Sequence, residues 1–194
     1  MIIVVFGPEA SGKMSVGQEL KKFGFHLLFN HQVIDLVGTI YNEENIGTIW
    51  NFQQKHIDLI EQLYSSFLYS AIDDEENLVF TITWNFNNDN MKNYFLVLQK
   101  YAKARNQKVV FVELYSTLEE RLRRNKTPNR LEHKVCKRDV ESSDHDLIEN
   151  TKFTRLNSEK GEMDVFEHYL FFDNTNIPPC EVTQSIVQYL LNNV

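Results

Sequence analysis

The chain is 194 residues long, 42% hydrophobic and 24% charged, with a formal net charge of −7, which suits one soluble domain with a substantial core. The acidic balance argues against a sequence-independent grip on nucleic acid, and no apolar run is long enough to span a membrane. Two distant cysteines, Cys136 and Cys180, give neither a disulfide framework nor zinc-ligand spacing, and no signal peptide is evident, so a cytoplasmic protein is expected.

Ile2-Ile3-Val4-Val5-Phe6 is a β-branched, apolar run of the kind buried on both faces of a sheet. It stops at Gly7, and a helix begins near Gly12 and runs to Leu20. Between them, Gly7-Pro8-Glu9-Ala10-Ser11-Gly12-Lys13 has the G-x-x-x-x-G-K spacing of a phosphate-binding loop, in the strand–loop–helix setting such a loop needs. Glycines let backbone N–H groups turn inward around a polyphosphate, and the helix N-terminus adds partial positive charge. Lys13 supplies a mobile cation for the outer phosphates. Met14 stands where serine or threonine would offer a hydroxyl to Mg²⁺. Ser15 brings that hydroxyl one residue late, about 100° further round the helix, so metal coordination through water is expected.

Gly24 is a natural helix stop, and Phe25 to Phe29 reads as a second strand ending in Asn30-His31. Val33, Ile34, Val37 and Ile40 then repeat at helical spacing. After a polar break at residues 41–45, a long amphipathic helix is expected from Ile46 through Ile49, Trp50, Ile57, Ile60, Tyr64 and Phe67 to Ala71. Residues from about 31 to 75 would wall the acceptor side of a cleft. Asn77 to Trp84 reads as the third strand, about 89–105 as a helix, and Lys108 to Tyr115 as the fourth strand. Thr117-Leu118-Glu119-Glu120 is a capping box that opens another helix. Tyr169 to Asp173 is the fifth strand, and Pro178-Pro179 starts a terminal helix with Val182, Ile186 and Leu190 on one face. This alternation predicts an α/β fold, a five-stranded parallel sheet between two helical layers. Ligands in such sheets bind beyond the carboxyl ends of the strands.

Residues 121–138 carry much of the basic density: Arg121, Arg123, Arg124, Lys126, Arg130, Lys134, Lys137 and Arg138. Guanidiniums that close over a moving phosphoryl group stabilise its transition state. The plainer alternative is a solvated helix face on which Arg123 and Arg124 pair with Glu119 and Glu120.

The loop and its continuation, G-P-x-A-x-G-K-M-[ST]-V-G-x-E-L, with a later F-N-H and a C-terminal D-N-T, resemble P-loop kinases of the nucleoside-monophosphate kinase and shikimate kinase type. They look most like a group of small bacterial proteins labelled shikimate-kinase-like. The resemblance covers most of the chain and implies a single P-loop kinase domain over 1–194, with a helical lid at about 124–160. It implies ATP and Mg²⁺, with Arg121 bordering the base and Arg124 and Arg130 reaching the phosphates. By the same resemblance Asn174 and Asn176, in Asp173-Asn174-Thr175-Asn176, would recognise adenine. In shikimate kinases an acid just beyond the second strand handles the acceptor hydroxyl. Here that position holds Asn30 and His31, and the nearest acid is Asp35, on the same helix face as His31. Either His31 and Asp35 act as a pair, or Asp35 alone is the base with His31 and Asn30 as substrate contacts, or the two are a first-turn acid and a cap. Trp84 and Phe86 either line the acceptor pocket or pack in the core.

The leading expectation is transfer of the γ-phosphoryl group of ATP to a small alcohol, a metabolite or an antibiotic. Residues 30–73 hold only Lys55 as a basic side chain besides histidine, which speaks against an acceptor phosphate. A nucleoside-monophosphate kinase and a nucleotide sensor with little transfer activity are the alternatives.

Overall fold

All five residues of β1 (Ile2–Phe6) are buried because the two faces of this strand meet different helical layers. Ile2, Val4 and Phe6 face one way, towards Leu68 and Ile72 of α3 (Gln54–Asp73) and Phe95 and Leu98 of α4 (Asn90–Lys103). Ile3 and Val5 face the other, towards Val16 and Leu20 of α1 (Lys13–Leu20) and Val182 and Ile186 of α8 (Pro179–Asn193). That two-sided burial is why β1 reads as a continuous apolar run rather than an alternating one. The structure, a computed structural model, describes residues 1–43, 52–134 and 137–194.

The sheet has the order β2-β3-β1-β4-β5 and every pairing is parallel, with β2 at His26–Phe29, β3 at Leu78–Ile82, β4 at Val109–Tyr115 and β5 at Tyr169–Asp173. β1 is therefore central, and the loops after β1 and β4 emerge side by side at the carboxyl edge, with Val5 opposite Val112 and Phe6 opposite Glu113. The five predicted strands are all present, within two residues of their expected ends. The third stops at Ile82, short of Trp84. The chain leaves the sheet there, and the indole stacks on Phe86 with centroids 5.1 Å apart and packs against Phe6 at 5.0 Å.

α2 (Asn30–Tyr41) follows β2 directly and packs Val33, Ile34 and Val37 against Phe52 and Ile60. The helix expected from Ile46 onwards is described only as α3, from Gln54; Ile46, Ile49 and Trp50 lie outside the described residues. Between β4 and β5 come α5 (Leu118–Asn125), α6 (Pro128–His133) and α7 (Val140–Phe153). Thr117 caps α5, accepting from the Glu120 N–H, but the return bond of the expected capping box is not made: the Thr117 N–H donates to Thr175 and the Glu120 carboxylate accepts from Arg123 and Arg124. Cys136 lies outside the described residues.

The chain returning from α7 is anchored to the sheet by a buried carboxylate. Glu113, on β4, accepts hydrogen bonds from the Ser158 N–H and hydroxyl, the Asn157 amide and the Tyr169 hydroxyl, at 2.6–2.8 Å. Four donors satisfy a charge that would otherwise be costly at full burial. No helix among the described residues is long and apolar enough to cross a membrane.

Candidate active site

The loop between β1 and α1 is held in a shape that only particular residues allow. Gly7 has φ +139°, and a Cβ there would lie 2.2 Å from the Leu114 carbonyl oxygen of the neighbouring strand. Gly12 has φ +100° and opens α1, while Ala10 lies between them at φ 58°. Two side chains from distant elements then grip the Ser11 carbonyl oxygen: Arg124 Nη1 donates to it at 3.0 Å and Asn174 Nδ2 at 2.8 Å. In a trans peptide the carbonyl and the following N–H point in opposite directions. These two donors therefore aim the Gly12 N–H away from themselves, as an anion-binding loop requires.

Lys13 opens α1 and is buried, with its ammonium donating to the Gly7 and Pro8 carbonyls, each at 2.6 Å. Burial pushes its pKa down to about 7; Glu9 opposes this, while Arg130 and Arg121 reinforce it. A polyphosphate entering the loop would compete with the two carbonyls and favour the charged form.

Two cavities meet at this lysine. One, of about 650 Å³, is walled by residues 10–15, by Arg123 and Arg124 of α5, by Asn129 and Arg130 of α6, and by Thr175 to Pro179. The other, of about 500 Å³, is walled by Glu9, Asn30, His31, Tyr64, Asn85 and Asn150, with an apolar side made by Ile34, Ile57, Ile60 and Ile82. Lys13, Arg130 and Lys134 line both. A phosphoryl group moving from the first cavity to the second would stay beside the same cations.

The chain from β1 to β5 adopts the architecture of known phosphotransferases. A sugar kinase from Janibacter sp. HTCC2649 superposes with a TM-score of 0.55 at 12% identity, covering 99% of this chain and 95% of that one. A gluconokinase from Sinorhizobium meliloti 1021 superposes with a TM-score of 0.52 at 16% identity, covering 97% and 90%. The chain shares its fold with these two proteins. No protein-family model matches the sequence, and no curated protein matches it.

Within this fold the expected site residues lie in different surroundings. Arg121, expected at the base, is 3% exposed and lies outside both cavities. Its Nη2 donates to Thr151 of α7 at 3.0 Å, and its Nε and Nη1 are buried without partners. Burial lowers its pKa and Glu9 opposes that shift. Arg124 does face the nucleotide-side cavity, but its donors go to backbone and carboxylate: Glu120 Oε1 at 2.6 Å, the Asn174 carbonyl at 2.6 Å and the Thr175 carbonyl at 3.1 Å, besides Ser11. It clamps two loops together at the wall of that cavity. Glu120 anchors the clamp; hydrogen bonds from Arg123 and then Arg124 hold its carboxyl down at about 2. Asn174, expected at adenine, is 1% exposed and spends its amide on Ser11, while Asn176 lines the cavity as expected.

Arg130 sits where both cavities meet, its Nε donating to Asn125 Oδ1 at 2.6 Å. Asn125 is fully buried and joins three helices, donating also to Asp144 at 2.8 Å and bonding Ser143. An asparagine at a helix end carries no sequence signal for such a role. Ser15 lines the nucleotide-side cavity, its hydroxyl accepting from Asn129 of α6 at 3.4 Å. Met14 is buried and lines the same cavity.

On the acceptor side Asn30 and His31 line the cavity as expected, but Asp35 does not. His31 is 8% exposed, and its Nδ1 lies 3.9 Å from Asp35 Oδ1, longer than a hydrogen bond. Burial, then Lys134, pushes the His31 pKa down to about 4, against the opposing pull of Asp35, so the ring is neutral at pH 7. Trp84 belongs to the core, 1% exposed; its neighbours Thr83 and Asn85 line the cavity instead. Glu9, expected with the nucleotide, faces the acceptor-side cavity. The scarcity of basic residues over 30–73 is offset by the lid, which contributes Arg130, Lys134 and Lys137; Lys137 is paired with Asp146 at 3.2 Å. Outside the lid, residues 30–73 contribute no lysine or arginine to the lining of this cavity.

Proposed function

We propose that this chain is an ATP-dependent small-molecule kinase that transfers the γ-phosphoryl group to an alcohol. One observation carries the reading: Lys13 and Arg130 stand in the shared wall of two cavities, one built around a phosphate-binding loop. Backbone N–H groups of residues 9–13 would hold the β- and γ-phosphates, with Lys13 and Arg130 countering the charge spread over the equatorial oxygens. The base would lie between Arg124 and the segment from Asn176 to Pro179. The first cavity fits such a ligand in volume and polarity, and the Ser15 hydroxyl at its wall is the oxygen the protein would offer to Mg²⁺. That ion supplies charge neutralisation between the two outer phosphates. The second cavity, apolar on one side and polar on the other, suits a compact hydroxylated molecule. The fold shared with a sugar kinase and a gluconokinase supports the same class of reaction. An activity of this kind fits the cytoplasm, where ATP is supplied.

ADP release with Mg²⁺-ATP, measured against pools of sugars, sugar acids, alicyclic hydroxy acids, aminoglycosides and nucleoside monophosphates, tests the reading. Stimulation by one pool, lost in Lys13→Ala, is the expected result. Stimulation by nucleoside monophosphates alone would move the acceptor from an alcohol to a phosphate. Nucleotide binding without stimulation by any pool would favour the sensor, a reading motivated by Met14 and by the self-bonded state of Lys13.

A further inference from the structure

We infer that Glu9, inside the phosphate-binding loop, is the carboxylate that receives the acceptor's hydroxyl proton, an assignment that rests on the kinase reading above. The acceptor-side cavity is lined by three carboxylates, Glu9, Glu61 and Asp146. Asp146 is engaged by Lys137 at 3.2 Å, and Glu61 is exposed. Asp35, one turn beyond His31, does not reach the cavity. Its Oδ1 is buried with no hydrogen-bond partner, as is one oxygen of Glu9, but of these two residues only Glu9 lines the cavity. Glu9 Oε1 accepts from the Asn150 amide of α7 at 3.2 Å, which fixes the carboxylate plane. Its Oε2 is buried with no hydrogen-bond partner. A buried, unpartnered carboxylate oxygen is costly and persists where a ligand completes its bonding. An acceptor hydroxyl is a donor of the right kind.

The position also matches the chemistry. Glu9 and Lys13 line the same cavity, and the charge of Glu9 acts on that ammonium. In the transfer, the acceptor oxygen forms a bond to the γ-phosphorus as the bond from that phosphorus to the β,γ-bridging oxygen breaks. ADP leaves with the electron pair, and the acceptor's proton passes to the Glu9 carboxylate, which lines the cavity, and then through the cavity to solvent. The competing account is that Glu9 only balances the buried Arg121, whose Nε and Nη1 also lack partners.

The test uses the full-length protein, Mg²⁺-ATP and the acceptor pool that stimulates the wild type, with Glu9→Gln, Glu9→Asp, Asp35→Asn and Lys13→Ala. Glu9→Gln keeps the shape and the Asn150 contact but removes the basic oxygen. The expected result is a fall in kcat of about 100-fold, with the Kd for a fluorescent ATP analogue and the melting temperature close to wild type. Glu9→Asp should recover part of the lost rate. Full turnover in Glu9→Gln with a lowered melting temperature would make Glu9 the counter-charge of Arg121 and overturn the proposal. So would a loss confined to Asp35→Asn. Failure of the kinase reading has its own signature: no pool stimulates the wild type, Lys13→Ala changes nothing, and the assignment of Glu9 falls with that reading.

Discussion

The two sides of the cleft are built by different means. On the loop side a continuous run of residues, 7–15, takes its shape from its own backbone, and α5, α6 and residues 175–179 complete the wall, with Arg124 and Asn174 both holding the Ser11 carbonyl. On the acceptor side no local run suffices. The cavity is assembled from the phosphate loop, α2, α3, the β3–α4 connection and the lid helices, each giving one or two side chains. Backbone-built sites can be read from a motif, because spacing and glycine positions determine the geometry. Sites built from side chains of distant elements depend on which face each helix turns inward.

That contrast can be broken or sharpened by experiment. Lys13→Ala removes the one side chain common to the loop and both cavities, and transfer should fall about 10³-fold, a loss of the size seen when a preorganised charge is deleted. A fall below tenfold in ADP release would mean that the cavities do not share a phosphoryl path. Trp84 separates core from cleft. Its truncation to alanine should cost about 3–5 kcal/mol of stability in a denaturant titration, as for other large buried aromatics, with the KM for the acceptor unchanged in the folded fraction. A changed KM with little loss of stability would return the indole to the acceptor wall.

The depressed pKa of Lys13 gives a sharper test of the nucleotide side. In the free protein the ammonium loses its proton through about pH 7, whereas bound phosphates favour the charged form. Nucleotide binding should therefore take up about half a proton at pH 7 and nearly one at pH 8 to 9, and affinity should fall with rising pH, approaching tenfold per pH unit at the top of that window. Calorimetry in buffers of different ionisation enthalpy measures the uptake; none at pH 8 would refute it. Asn174→Ala should act most gently. Loss of one neutral hydrogen bond to Ser11, worth about 1 kcal/mol, should weaken the binding of a fluorescent ATP analogue by about fivefold and leave the acceptor KM alone.

The arginines show where local reading ends. Arg121 and Arg124 are three residues apart on one short helix, and both suit a phosphate on residue type alone. One is buried against Thr151 and the other clamps two loops, because α5 is covered by α7 on one side and by the β5–α8 loop on the other. Glu9 was placed by its sequence neighbours with the nucleotide, yet its side chain turns to the opposite side of the loop and is held there by Asn150, 141 residues away. Neither outcome has a local signal, since both depend on partners supplied by the lid.

The sequence by itself determined the phosphate-binding loop, the central strand that delivers it and the alternation that makes the sheet parallel. These rest on patterns carried by neighbouring residues: glycine spacing, a continuous apolar run and helix caps. Only the tertiary structure decided which side of the loop Glu9 faces, that Trp84 is core, that Arg124 grips carbonyls, and that lid cations reach the acceptor cavity. Those follow from how helices far apart in the chain pack over one edge of the sheet, where each side chain's role is set by the partner it meets.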